Sequence, residues 1–178
     1  MKPRFTIPAA SCGALVLMCA SLHAQNPVAS AVRDMTARAT RDLNEAAEEM
    51  PADKYGYKPT PAQMGFGDVV LHVAGGSAMM CGWIAGTTPP DAPKLTPADG
   101  KEKLVARQKD AFAFCTSALA KVDDSKLGDS IPFFGGHKMT RAAVMIILVD
   151  DLADHYSQEA IYLRLNGLLP PTAKRKEM

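Results

Sequence analysis

The chain carries almost no net charge, formally +1 over 178 residues, and has no basic run before its last few positions. That excludes the electrostatic footprint of a nucleic-acid binder, because gripping phosphates takes clustered cations. None of the four cysteines forms a CxxC pair, which argues against a thiolate zinc cluster. A glycine-rich phosphate loop is also missing, since Gly75 and Gly76 fall inside a helical pattern. No alternation of apolar and polar residues is sustained, so strands are not expected. Internal repeats are absent. Beyond the N-terminal stretch, no apolar segment reads as long enough to cross a membrane, so stable membrane insertion is not expected.

The first two dozen residues have the three-part layout of a secretory signal. Lys2 and Arg4 make a short basic start, and an apolar stretch runs from about Ile7 to Ala20. Small residues in Ser21-Leu22-His23-Ala24 place the expected cleavage after Ala24. Cys19 is not preceded by the small residue that lipoprotein processing needs, because Val16-Leu17-Met18 stands there. Residues 1–24 are therefore expected to be a signal peptide and residues 25–178 a single domain, periplasmic or secreted. Cleavage would take the formal charge from +1 to −1 and leave only Cys81 and Cys115. Oxidising compartments pair such cysteines. The bridge would enclose about 33 residues and contribute about 2–4 kcal/mol. Two buried thiols on apolar helix faces are the alternative.

Four helical stretches are separated by Pro/Gly-rich breaks. The first runs from about Pro27 to Glu49, with Val32, Met35, Ala39, Leu43 and Ala46 at three- and four-residue spacing, and Pro51 stops it. Thr60-Pro61-Ala62-Gln63 has the form of a capping box and predicts the start of the second. This helix continues through Val69, Val73, Met80 and Ile84 to the stop at Thr88-Pro89-Pro90. Thr96-Pro97-Ala98-Asp99 repeats the capping logic for the third. A long connection from Asp123 to Gly136 follows, with Phe133 and Phe134 expected to tuck against the bundle. The fourth helix starts near Met139 or Thr140 and ends at Asn166-Gly167, with Pro170-Pro171 blocking continuation. Lys174-Arg175-Lys176 reads as a solvated end.

The chemistry concentrates in the fourth helix. Its apolar stripe of Val144, Ile147 and Leu148 continues into Asp151, His155, Gln158 or Glu159, and Tyr162. Asp151 and His155 are one turn apart on one face, a spacing that lets one helix offer two metal ligands. His72, among apolar residues of the second helix, is the candidate third ligand. An Asp151–His155 ion pair on a solvated face explains the same spacing without a metal. His137, in Gly135-Gly136-His137-Lys138, reads as an exposed loop residue, and no catalytic residue is assigned.

The stretch from Asp151 to Pro171, with His155, Gln158, Tyr162-Leu163-Arg164, Gly167 and Pro170-Pro171, resembles the C-terminal helix signature of DinB-family proteins. Met50-Pro51-Ala52-Asp53-Lys54-Tyr55, Lys58-Pro59-Thr60 and Phe66-Gly67-Asp68-Val69-Val70-Leu71-His72 agree with it in order. The resemblance implies an all-α four-helix bundle of up-down-down-up topology. It also implies a divalent metal held by one histidine of helix two and two of helix four. His72 and His155 match two of those positions, whereas Asp151 departs from the third. The implied ligand set suits zinc or nickel, and also iron or manganese. Asp154, Gln158 and Tyr162 are candidates for a supporting shell. The expected activity is metal-dependent thiol transfer or hydrolysis on a small-molecule ligand. The alternative is a non-catalytic, stress-associated binding bundle with a vestigial site, and a homodimer is compatible with either.

Overall fold

The computed structural model describes residues 26–175. The expected signal peptide, with Cys12, Cys19 and His23, and the final Lys176 lie outside the described residues. Helix α1 is Pro27–Glu49, α2 Phe66–Ala85, α3 Lys101–Leu119, α4 Arg141–Leu165, and a single extra turn, α5, covers Pro171–Lys174. The ends of α1 and α4 have readable reasons. The Asp124 carboxylate accepts from the free Val28 and Ala29 N–H groups at 3.0 and 2.8 Å, capping α1 from across the bundle. At the other end of α1, the Lys101 ammonium donates to the Glu48 and Met50 carbonyls at 2.6 and 2.8 Å. The Thr140 hydroxyl caps α4 by accepting from Ala143 N–H at 3.3 Å. Gly167, at φ 76°, ends α4 in the left-handed conformation.

The same contacts give the topology. Arg33 near the start of α1 donates to the Val122 carbonyl just after α3 at 2.9 Å, while Lys101 at the start of α3 meets the end of α1, so these two run antiparallel. Cys81 and Cys115, each near the C-terminal end of its helix, stand at disulfide distance, 2.03 Å between sulfurs and 5.2 Å between Cα atoms. Gly67 and Leu104 approach at the opposite ends, so α2 and α3 are parallel. Arg141, opening α4, donates to the Ile84 carbonyl at the end of α2, making these two antiparallel. Around the bundle the order is α1, α4, α2, α3. This is the expected up-down-down-up four-helix arrangement, and its core is built on Leu43, Phe66, Leu104, Met145, Leu148 and Tyr162, none more than 2 % exposed.

Five expectations are corrected. Thr60-Pro61-Ala62-Gln63 closes a turn, with Gln63 N–H donating to the Thr60 carbonyl at 3.1 Å, and α2 starts six residues later than Thr60, at Phe66. The delay has a tertiary cause: Phe66 and Gly67 N–H donate back to the Tyr57 and Tyr55 carbonyls at 3.1 and 2.8 Å, and Gly65 is extended. Asp68 then caps α2 by accepting from Gly65 N–H at 3.1 Å. Thr96 and Asp99 likewise cap only a short 3-10 turn, Pro97–Asp99, before α3. Strands do occur: β1, Ser130–Pro132, pairs antiparallel with β2, Lys138–Thr140, in the register Ile131↔Met139. Three residues are too short to show an alternation. Lys174 and Arg175 are not simply solvated, because they form ion pairs with Glu49, Asp42 and Glu45 of α1. Finally, α2 is long and apolar enough, by length and composition, to cross a membrane, though more than half of that stretch is buried in the bundle.

Phe133 and Phe134 sit in the β1–β2 turn and pack on Trp83 of α2 with ring centroids 6.1 and 4.8 Å away. The disulfide generates a direct prediction. Reduction should lower the unfolding free energy by about 2–4 kcal/mol, seen as a lower denaturant midpoint. Equal alkylation of denatured protein before and after reduction would show that no bridge forms.

Candidate metal centre

Helix α4 passes from apolar to polar at Asp150, and its face toward α2 carries Asp151 and then His155. The Asp151 Oδ1 and His155 Nε2 atoms are 3.5 Å apart. Across the seam, the His72 ring meets the His155 ring with centroids at 4.9 Å and planes at 69°. One donor atom from each of the three residues lies within 4.8 Å of the others. Two ligands bonded to one ion at about 2.0–2.2 Å and a tetrahedral angle stand about 3.4 Å apart. The Asp151–His155 separation already has that value, and His72, exposed on the rim, is the ligand with freedom to adjust. Two imidazoles and one carboxylate are a donor set that fits a divalent ion.

A chain of hydrogen bonds behind His155 fixes which ring nitrogen faces the site. The buried Tyr162 hydroxyl donates to the Met64 carbonyl at 2.9 Å. Its oxygen is then free to accept from the Gln158 amide nitrogen at 3.3 Å. That orients the Gln158 carbonyl oxygen toward His155 Nδ1, 3.1 Å away, which must donate. Neutral His155 therefore carries its proton on Nδ1 and presents the Nε2 lone pair to Asp151 and His72. The hydrogen bond to Asp151 raises the His155 pKa above its ordinary value. Burial opposes the rise, while Gln158 and the charges of Asp151 and Asp154 reinforce it.

The residues named from sequence thus separate into groups. His72, Asp151 and His155 converge, and Gln158 and Tyr162 stand directly behind them. Asp154 is exposed and acts on His155 through its charge alone. His137 is exposed in the hairpin turn. Of the pair Gln158 and Glu159, Gln158 turns to the site and Glu159 goes into the core, fully buried with neither carboxylate oxygen hydrogen-bonded. Desolvation pushes its pKa well above the ordinary carboxyl value. Tyr55, whose hydroxyl donates to the Ala47 carbonyl at 2.6 Å, has its pKa raised by burial and then by Glu159.

Sequence reasoning missed a groove of about 510 Å³ beside the three residues, lined by Leu71, His72, Gly75, Gly76, Met79, Met80, Phe134 and Asp151. Part of it was readable: positions 72, 75, 76 and 79 share one helical face. Phe134, from the hairpin, had no such signal.

A family model described as the DinB superfamily matches residues 35–158. The chain belongs to the DinB superfamily. Solved DinB-like structures share the fold. One from Bacillus subtilis aligns with a TM-score of 0.65 at 19% identity, covering 77% of this chain and 92% of its own. Another from Bacillus cereus gives 0.64 at 15% identity, covering 80% and 95%. A conserved Enterococcus faecalis protein gives 0.59 at 17% identity, covering 76% and 94%. No curated protein matches the chain. Within this DinB domain, the seam between α2 and α4 carries the three converging residues.

Glu159 supplies the pH dependence. Its folded-state pKa lies above the unfolded value, so its pH-dependent cost is absent below about pH 4 and grows above it as the unfolded carboxyl ionises. Glu159→Gln should therefore stabilise the fold at pH 8, with a smaller gain at pH 4.5. Thermal melts at the two pH values check this; an equal effect at both would place an ionised Glu159 in the native state.

Proposed function

We propose that this exported DinB protein binds a divalent metal through His72, Asp151 and His155 and uses it in thiol transfer or hydrolysis on a small molecule. The observation that carries the reading is the convergence of three donor atoms within 4.8 Å, with the His155 tautomer set by Gln158 and Tyr162. Zinc and nickel suit the donor set, and iron and manganese are compatible. When bound, such an ion lowers the pKa of a thiol or water at its open position, supplying a nucleophile near neutral pH. The protein's own contribution is positional. His72 and His155 offer ring nitrogens, Asp151 offers a carboxylate oxygen, and Gln158 holds the His155 ring in its plane. Tyr162, clamped to the Met64 carbonyl, holds Gln158 in turn.

A second reading has one observation in its favour. Asp151 already pairs with His155 and raises its pKa, and a proton on Nε2 competes with a metal. In that reading the pair is a polar contact of a non-catalytic bundle.

Metal analysis decides between them. Protein purified without a His-tag and offered zinc or nickel should retain a stoichiometric ion, and His155→Ala should lose it. Gln158→Leu should weaken metal affinity about 10–100-fold, while Asp151→His should preserve or strengthen it. Wild type as metal-free as His155→Ala would end the metal reading. Bound metal with no turnover of thiol-plus-electrophile pairs would count against thiol transfer only.

A further inference from the structure

We infer that the groove beside His72 and Asp151 receives the apolar, uncharged tail of a small ligand, with Gly75 and Gly76 keeping the room for it. The inference rests on the metal reading for the ligand's head group and adds the chemistry of the rest of the molecule.

The glycines are the starting observation. Inside a helix, glycine is costly because it orders the most flexible backbone without adding a packed side chain. Two other glycines of α2 have a packing reason to be there. A Cβ at Gly67 would stand 3.1 Å from the Leu104 side chain and 3.3 Å from Tyr55, and one at Gly82 would stand 2.7 Å from the Thr87 carbonyl oxygen. At Gly75 and Gly76 a Cβ would meet nothing within 4 Å. Neither has the positive φ that would call for glycine. The fold itself therefore gives no reason for glycine at these two positions. The space they leave belongs to the groove that His72 and Asp151 also line.

The walls define what fits. Leu71, Met79, Met80 and Phe134 are apolar, and about 510 Å³ is room for a small organic molecule. Phe134 is held in place edge-on to Trp83 at 4.8 Å. Met79 and Phe134, 43% and 40% exposed, place apolar surface within reach of a ligand on both rims of the cleft, and the Met79 thioether can mould to an aromatic or branched tail. Among the described residues, no lysine or arginine lines the groove, and its one carboxylate is Asp151. A phosphorylated or polycarboxylate ligand would find no counter-charge beyond the metal itself. The ligand class is thus a neutral small molecule with one metal-binding group and an aromatic or aliphatic remainder.

Two hydroxamates with the same head group test this: benzohydroxamate has a phenyl tail and acetohydroxamate only a methyl. With zinc-loaded protein, calorimetry should show benzohydroxamate binding on the order of tenfold more tightly, a difference of about 1.4 kcal/mol. Gly76→Leu and Met79→Glu should each abolish that preference while leaving metal content and acetohydroxamate affinity unchanged. Having two variants guards against one misfolding. A second arm needs no metal: in zinc-free protein with labelled methionine methyls, the Met79 and Met80 signals should shift with benzohydroxamate and not with acetohydroxamate. Equal affinity for both probes on loaded protein overturns the inference, and so does the absence of methyl shifts in the zinc-free arm. Loss of metal with the methyl shifts intact would instead remove the metal reading and leave the groove. If Met79→Glu converts a dimer to a monomer without changing probe preference, the groove is a contact between copies and the inference is overturned.

Discussion

The hydrogen bond from the Tyr162 hydroxyl to the Met64 carbonyl joins three parts of the chain at one part-buried point: the end of α4, the segment that feeds α2, and the shell behind His155. Because α2 and α4 are antiparallel, this point also sets their axial register. From Tyr162 back to His155 is seven residues of α4, about 10 Å, and His72 stands six residues into α2 from Phe66, so both lead along the seam in the same direction. A shift of α4 by one turn would carry His155 about 5 Å from His72 and dissolve the convergence. The bond also dictates the polarity of everything stacked on it, since a carbonyl can only accept. The Tyr162 proton, the Gln158 amide and the His155 tautomer follow in order from that one constraint.

Around this clamp the helices are held by interactions of very different kinds. Helix α1 is tied at its start by Asp124 and at its end by Lys101, both reaching across from other elements to unpaired backbone groups. Helix α5 and the Arg175 that follows it are tied to α1 through the Lys174 and Arg175 ion pairs. Glu159 works in the opposite direction, since a carboxyl without a partner in the core weakens the fold wherever it would ionise. It lies on the same helix as the site, one residue beyond Gln158, so one polar residue of that pair is satisfied and the next is not.

What could be read from the chain followed the range of the interactions involved. The span of α4 was legible because its signals are local: the Thr140 cap, the apolar stripe, and Gly167 with its left-handed turn. The convergence of His72 with Asp151 and His155 was legible in part, through helical spacing on α4 and the DinB likeness of the flanking residues. The start of α2 was not, because Thr60, Pro61 and Gln63 make a sound local cap. The segment is diverted by backbone bonds to Tyr55 and Tyr57, which appear only on folding. The β1–β2 hairpin was too short for any period to register, and with it went Phe134 and one wall of the groove. The ion pairs of Lys174 and Arg175 join residues far apart in sequence, which spacing cannot reveal. Gln158 and Glu159 differ by a single step of about 100° around the helix, and only packing decides which of them meets the site.

Helix α2 occupies a singular position with respect to cross-linking. On one side the sulfur pair of Cys81 and Cys115 fastens it to α3, closing a loop with a sequence separation of 34 residues. On its other side, an ion shared between His72 and the two α4 ligands would close a far longer loop, running through the whole of α3 and the hairpin. Closure entropy grows with the logarithm of loop length, so the two links would restrict the unfolded chain to different extents. The helix between them would then be stapled on both flanks, by a bond that answers to the redox state outside it and by a coordination sphere that answers to metal supply.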